Sequence, residues 1–412
     1  MTHKTHTNPF NMIVIVAALG YFVDIYDLIL FSIVRVPSLT SLGYSGSELT
    51  TIGLRLLNTQ MIGMLLGGII WGMLGDKKGR LSVLFGTILL YSIANIANGM
   101  ITNVEQYYVL RFIAGVGLAG ELGIGITLVS EVMSKETRGY GTTIVSGIGI
   151  IGAVVGFLVA DQFDWRVAYY VGGGLGLLLL LLRISVYESG MFSKMKETVV
   201  RKGSFISLFT NKTRLKKYIR CILIGMPVWY VIGIIVTFAP EFASPDALNV
   251  QGVVIGGKAV MYHYIGASIG AFSLGFLSQR LKSRKKALLI ALTGLTITLA
   301  WCFVSKGVSE NTFYFLLFMV GIPNGFWSVF VTTASEQFGT NLRATVTTTV
   351  PNFVRGTTVL ITTSFNFLKS GSPGVLGAAT IVGLVVLALS FYATATSEES
   401  FHKELDYVEE IV

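Results

Sequence analysis

The chain predicts an all-α integral membrane fold: twelve transmembrane helices in two pseudo-symmetric six-helix bundles. Three observations carry that prediction. Apolar residues fill 52% of 412 positions and charged residues only 13%, against roughly 25% charged in an ordinary soluble domain. Apolar runs of about 20 residues, enough helix to cross roughly 30 Å of hydrocarbon, recur along the whole length. The phrase VSEVMSKETRG, with Glu131 and Arg138, returns 205 residues later as ASEQFGTNLRA, with Glu336 and Arg343. GMLGDKKGR, from Gly72 to Arg80, returns in altered form as GFLSQRLKSRK from Gly275. Two echoes at nearly one offset mark a duplicated unit.

The elements follow in order. The segment before residue 11 is too short and too polar for a cleavable signal, so span 1 (11–34) is the first mature crossing. Span 2 (51–74) runs into the GDKKGR loop and span 3 (81–100) leaves it. Span 4 (107–132) ends on the first repeated phrase. Span 5 (140–160) carries Gly147, Gly149, Gly152 and Gly156; Ala153 stands where the Gly-Pro step of drug:proton exporters would put proline, so these glycines read as close helix packing. Span 6 (167–187) completes a first domain, 1–187. A polar, basic linker, 188–217, is expected on the cytoplasmic face with short amphipathic helices, as a solvated tether rather than a lipid-binding segment. Spans 7 to 12 (218–239, 259–279, 286–305, 312–334, 344–368 and 374–396) form a second domain, 218–396, and an acidic tail, 397–412, closes the chain.

Charge sets the topology. The excess of 31 basic over 22 acidic residues is not a nucleic-acid signature, because the cations sit in short loops. One set of loops holds Lys77, Lys78 and Arg80, Lys135 and Arg138, the run from Lys194 to Lys217, Arg280 to Lys286, and Arg343. The opposite set holds little beyond Arg35, Arg166, Lys258, Lys306 and Lys369. Basic loops stay cytoplasmic, so both termini are predicted inside a cell (inner) membrane that the chain crosses many times. Cys221 and Cys302 fall inside predicted spans and give neither a disulfide framework nor a metal spacing.

The two six-span halves, the GxxGDKKGR loop and the paired Glu/Arg phrases together resemble the major facilitator superfamily, over residues of about 11 to 396. GYFVDIYDL in span 1, RFIAGVGLAGELGIGITLVSEVMSKETRG in span 4 and YESGMF after span 6 are similar to the sugar, phosphate and metabolite:proton symporters, and Gly120-Glu121 is nearest the metabolite branch. Where the phosphate branch carries Asp-Tyr-Pro-Leu-Ser, Glu121 to Gly125 stand instead, which points away from phosphate. The resemblance implies two bundles rocking about a central site lined by spans 1, 4, 7 and 10.

Charged residues inside hydrocarbon are costly and mark function or a structural ion pair. Asp24 and Asp27 are three residues apart in span 1, within roughly 60° on one helix face. Asp27 is expected to pair with Arg111 of span 4 as the main proton-coupling acid, with Asp24 its modulator or a substrate contact; sugar and metabolite symporters couple through a similar acid and arginine. Glu121, about 15 Å further along span 4, is a second candidate proton carrier, a ligand for a substrate cation, or a carboxylate hydrogen-bonded to the neighbouring bundle. Arg55 and Arg355 offer forks that match a carboxylate and so point to an anionic substrate, or else they bridge to Asp24 or Glu121. Asn352 shares a face with Arg355. Tyr26, Asn58, Trp229, Tyr230, Tyr262, His263, Asn324 and Trp327 complete the candidate substrate contacts. Gly72, Gly75, Asp76, Gly79, Arg80, Glu131 and Arg138 form an expected cytoplasmic latch, with Arg80 reaching Glu131. A second latch is expected from Arg284 with Gln279 and from Glu336 with Arg343; it lacks an acid equivalent to Asp76.

The sequence therefore reads as a secondary active transporter importing a small, anionic metabolite with a proton. A proton-driven exporter on the same fold is the nearest alternative, and a transport-incompetent membrane sensor the alternative from another class, though no loop is long enough for a sensor domain. No enzyme activity, cofactor, metal or nucleic-acid partner is expected. The expected partners are the substrate, protons and the lipid bilayer, and the expected state is a monomer.

Overall fold

The computed structural model of the protein describes residues 12–78, 80–134, 137–188, 205–371, 374–401 and 403. The first half contains α1 (Met12–Ser41), α2 (Ser47–Lys78), α3 (Arg80–Asn98), α4 (Val104–Leu118), α5 (Glu121–Val132), α6 (Arg138–Gln162) and α7 (Trp165–Glu188). The short α8 (Ser207–Thr210) precedes α9 (Lys212–Tyr230), which runs into a π-helical turn, Val231–Val236, and then α10 (Ala239–Phe242). The second half continues with α11 (Gly256–Arg280), α12 (Arg284–Val304), α13 (Glu310–Asn324), α14 (Trp327–Glu336), α15 (Thr340–Lys369) and α16 (Gly374–Thr396). Among the described residues there is no strand, and nine helical stretches are long and apolar enough to cross a bilayer. α3, the α4–α5 pair and the threonine-rich α15 occupy the other three positions at which the sequence predicts spans.

Polar caps set several helix starts. Asn103 accepts from the Gln106 amide, Ser283 from that of Lys286 and Ser309 from that of Thr312, each satisfying a donor that a helix N-terminus leaves open. Asn211 accepts from Thr213 and Arg214, so α9 begins inside the stretch read as linker. Residues 189–204 of that linker and the tail beyond Lys403 lie outside the described residues.

Two predicted spans are interrupted at equivalent points. Span 4 breaks at Ala119-Gly120 and span 10 at Gly325-Phe326, the two glycines again 205 residues apart. Carbonyls freed inside a membrane must find donors. Trp71 Nε1 donates to Val116 O at 2.7 Å and Asn352 Nδ2 to Ala119 O at 2.7 Å. At the second break a Cβ on Gly325 would lie under van der Waals distance from the α11 backbone at Ala267, so only glycine allows that approach.

Within the first half α1 packs on α6, α4 on α2 and α3, and α3 on α7; within the second, α11 packs on α13, and α9 on α15 and α16. Two seams join the halves: α6 against α11 and α2 against α15. Advancing each partner by six spans converts one seam into the other, as a duplicated unit requires. The α1–α6 contact is the closest in the first half: a Cβ on Gly152 would collide with the Phe22 carbonyl and meet Tyr26 N at 2.9 Å. Overpacking costs about 1–3 kcal/mol, and here backbone opposes backbone. Gly152→Ala is therefore expected to lower the thermal midpoint, whereas Gly174→Ala, where nothing lies within 4 Å, leaves it unchanged or raises it; scanning fluorimetry of both variants checks the contrast.

Candidate functional site

Between the halves lies a small pocket, partly open to its surroundings. Its walls are Tyr21 and Ile25 of α1, Ile150 of α6, Val228 and Trp229 of α9, Ile232 of the π turn, His263, Tyr264 and Ala267 of α11, Asn324 of α13, Trp327 of α14 and Arg355 of α15. The lining is aromatic and aliphatic apart from Arg355, His263 and Asn324. Asn324 Nδ2 and His263 Nε2 are 3.1 Å apart.

Arg355 is the charged centre of this pocket and is 1% exposed. Its guanidinium carbon lies 5.9 Å from the ring centroids of both Trp229 and Trp327. Nη1 donates to Asn352 Oδ1 at 3.3 Å, and Nη2 stands 3.6 Å from Asp24 Oδ2, too long for a good hydrogen bond. Among the described residues Nε and Nη2 have no hydrogen-bond partner. The fork is thus clamped between two π faces, balanced by one loosely paired carboxylate, and retains donors for an anion.

Behind Asp24 the first half holds further buried charges. Glu121 and Arg183 form a bidentate pair: Arg183 Nη1 donates to Glu121 Oε2 at 2.9 Å, and Nη2 bonds Oε1. Gly20, one turn before Asp24, leaves the room they occupy; a Cβ there would strike both side chains. Asp24 feels Arg355, Glu121 and Arg183 electrostatically. Asp27 turns the other way, with Oδ1 against Gly172 of α7, and faces Asn95 of α3.

Both mouths of the pocket are bridged. At the end opposite the basic loops, Arg35 of α1 makes a two-point pair with Glu241 of α10, at 2.9 Å for each contact. Thr50 adds a hydrogen bond to Glu241 at 2.9 Å, and Thr237 donates to Ser32 at 3.0 Å. At the basic end Glu336 accepts from Arg138 Nε at 3.1 Å and from Arg284 Nε and Nη2 at 3.1 Å each. Ser400 adds a fourth bond at 2.9 Å. Arg138 begins α6 and Arg284 begins α12, so one carboxylate ties the two halves. Gln279, its amide set so that the oxygen faces donors, accepts from Tyr140 and Gly139 of α6 at 3.2 and 3.3 Å.

The structure brings Trp229, His263, Asn324, Trp327 and Arg355 to one pocket and places other candidates elsewhere. Arg55 is exposed on α2 beside Tyr108; its long stem carries the charge outward, away from the pocket. Tyr230 and Tyr262 are rotated about 100° from Trp229 and His263 by helix geometry. Tyr230 donates to Ala379 O at 2.7 Å, and Tyr262 stacks on Tyr314 at 5.4 Å between centroids. Tyr26 donates to Ala168 O at 3.0 Å. Asn58 accepts from Thr362 at 2.7 Å in the α2–α15 seam, and Asn352 braces the broken span 4. The expected Asp27–Arg111 pair makes no direct hydrogen bond: Arg111 lies over Phe31 and Tyr169, each 5.7 Å away, although Asp27 still feels its charge. The expected Glu336–Arg343 pair is replaced by Glu336 with Arg138 and Arg284, because α6 and α12 both start beside the end of α14. Gly72 lies in the α2–α15 seam, 3.6 Å from Thr349 by its would-be Cβ. Gly79 lies outside the described residues, as do the surroundings of Gly75 and the side chains of Asp76, Arg80 and Glu131.

Several site residues escaped the sequence reading. Tyr21, Ile25 and Tyr264 carry no signal beyond being apolar or aromatic in a span. Arg183 follows six consecutive leucines and reads as a boundary charge, although a buried arginine in a span is a functional signal in itself. Glu241 and Arg35 read as ordinary loop charges.

Comparison with known proteins agrees with this architecture. The family model described as Major Facilitator Superfamily matches residues 17–363. A putative niacin/nicotinamide transporter NiaP of Bacillus subtilis is 26% identical over 82% of this chain and 84% of its own. A cis,cis-muconate transport protein of Acinetobacter baylyi is 27% identical over 95% and 94% of the two chains. Among solved structures, the proton:xylose symporter XylE superposes with a TM-score of 0.71 at 17% identity, covering 96% of this chain and 97% of that one.

Proposed function

The chain belongs to the Major Facilitator Superfamily, a family of transporters rather than enzymes, and from that premise we propose that it imports a small, flat organic carboxylate together with a proton by alternating access. The observation that carries this reading is Arg355, buried between Trp229 and Trp327 with unpaired donors at the pocket centre. An arginine fork fits a carboxylate, and aromatic walls fit a conjugated or one-ring acid. The muconate name of one relative supports the same class, and the niacin/nicotinamide name of the other covers both an unsaturated acid and its uncharged amide. The basic end is assigned to the cytoplasm by its loop charges.

Coupling follows from charge balance. Three buried acids stand against three buried arginines: Asp24 feels Arg355, Glu121 bonds Arg183, and Asp27 feels Arg111. An incoming monoanion takes the place of Asp24 on Arg355 and leaves one negative charge in excess in a medium where isolated charge is costly. A proton on Asp24 removes that excess, so carboxylate and proton travel together. Asp24, not Asp27, is the acid that reaches both the pocket and the second half, and it takes the coupling role here.

The reading is tested by thermal stabilisation and proteoliposome uptake with nicotinate, cis,cis-muconate and benzoate, with nicotinamide as the uncharged match. Acids are expected to bind and the amide to bind far more weakly; equal response to nicotinate and nicotinamide overturns an anion site. Export instead of import would appear as accumulation only in inverted vesicles. Asp24→Asn is expected to bind the acid at all pH values and to exchange it across the membrane, yet to lose accumulation driven by an imposed pH gradient. Retained accumulation in that variant would remove Asp24 from the coupling role.

A further inference from the structure

We propose that a cleft at the basic end, between α9, α14 and the C-terminal segment, binds a phosphate-bearing anion and that its occupancy loosens the strap that closes this end. The cleft holds about 510 Å³ of empty space and is separate from the central pocket. Thr213, Lys216, Lys217 and Arg220 line it from α9; Lys216 and Lys217 each stand three or four residues from both Thr213 and Arg220, so the set covers one broad helix face. Thr333 of α14 lies opposite. Among the described lining residues Glu398 is the one carboxylate, and it is already engaged by Lys403 Nζ at 2.8 Å.

Three cations of α9 therefore share a cleft with one acid whose charge is balanced elsewhere. Lys217 and Arg220 are half-buried, and both act on Glu398. Clustered cations, with Thr213 beside them, match the charge and multiple acceptors of a phosphate group.

The cleft shares its wall with the strap. Gln337 Nε2 donates to Glu398 O at 2.8 Å. The next residue, Glu399, accepts from Ser283 and from the Arg284 and Lys285 amides at 2.9 and 3.3 Å. Ser400 then donates to Glu336, and Arg138 donates to Lys403 O at 2.9 Å. A phosphate on the α9 cations repels the Glu398 carboxylate and draws Lys403 from it, lifting the segment that holds Glu336 and Arg138. Chemistry alone fits either a phospholipid headgroup at this membrane face or a free phosphate.

The test uses the full purified chain and does not depend on the central carboxylate site. In one arm inorganic phosphate is titrated in detergent against potassium chloride at matched ionic strength; in the other, nanodiscs of phosphatidylcholine are compared with and without phosphatidylglycerol. Thermal midpoint and hydrogen exchange of residues 397–401 are read in both. Expected are a higher midpoint and faster exchange of the strap with one or both sources; response to lipid alone assigns a headgroup, and response to phosphate alone a free anion. The K216Q/K217Q/R220Q variant should weaken the apparent affinity by on the order of a hundredfold, as loss of several charge-assisted bonds implies. Glu398→Gln, which removes the competing acid, should tighten it. No response beyond chloride in either arm, an unchanged response in the triple variant, or weaker binding in Glu398→Gln each overturns the proposal.

Discussion

Arg355→Ala is expected to weaken carboxylate binding severely while leaving a folded, monodisperse protein. Among the described lining residues the guanidinium is the one charged group of the central pocket, and truncating one partner of a buried charge pair costs about 2–5 kcal/mol. That corresponds to a loss of roughly thirty-fold to several thousand-fold in affinity. The fold tolerates the change because Asp24, the one carboxylate it faces, is held at 3.6 Å and becomes neutral by taking a proton, where a tightly bonded pair would leave a stranded charge. Arg355→Lys separates charge from shape: it keeps the cation but loses the flat fork that stacks between Trp229 and Trp327, so it should recover only part of the affinity. Isothermal titration or ligand-induced thermal shift of both variants provides the measurement. If Arg355→Ala is still stabilised by the acids that stabilise the parent chain, the pocket recognises them by other groups and the carboxylate reading fails.

The sequence made the membrane fold, the duplication and the helix positions legible, because each rests on signals that survive without coordinates: apolar length, loop charge and a repeat at one offset. It also placed the cost of buried charge correctly on Asp24, Glu121 and Arg355. What it could not resolve was direction around each helix. Tyr230 and Tyr262 differ from Trp229 and His263 by one residue, yet the first pair packs helix against helix and the second lines the pocket. Apolar spans buried on most sides show no polar face from which to read orientation. Pairing was equally hidden. Asp27 and Arg111 look matched by depth and do interact electrostatically, but no hydrogen bond joins them, and Arg111 instead lies over Phe31 and Tyr169.

The latch shows the same limit at larger scale. The repeated phrases read as one closure within each half, with Glu336 paired to Arg343. The structure instead joins Glu336 of the second copy to Arg138 of the first and Arg284 of its own. Duplicated segments facing each other across a seam exchange partners, and nothing in a linear repeat distinguishes an internal bond from an exchanged one. The exchange makes closure a property of the pair of halves, which is what a rocking transporter needs: separating them at this end breaks the Arg138–Glu336 bond directly.

Arg183→Leu is expected to cause the largest loss of stability in the first half. Glu121 is 1% exposed and takes its bidentate bonds from Arg183, so the substitution strands a carboxylate beside Gly20, Asp24 and Tyr91 with no cation bonded to it. Removing one member of a buried pair costs about 3–5 kcal/mol, whereas replacing both by apolar groups of similar size is often neutral or better. The Glu121→Leu, Arg183→Leu double variant should therefore recover most of the heat resistance that the single variant loses. Residual monodisperse protein after a fixed heating step is the appropriate readout, since membrane proteins commonly unfold irreversibly and their stability is then a rate. The double variant also decides what Glu121 does. With Asp24 and Arg355 untouched, it should still accumulate substrate against its gradient when a pH gradient is imposed. Accumulation lost while binding and stability return would make the Glu121–Arg183 pair a working part of the proton path, and would restore to Glu121 the carrier role that its tight pairing argues against.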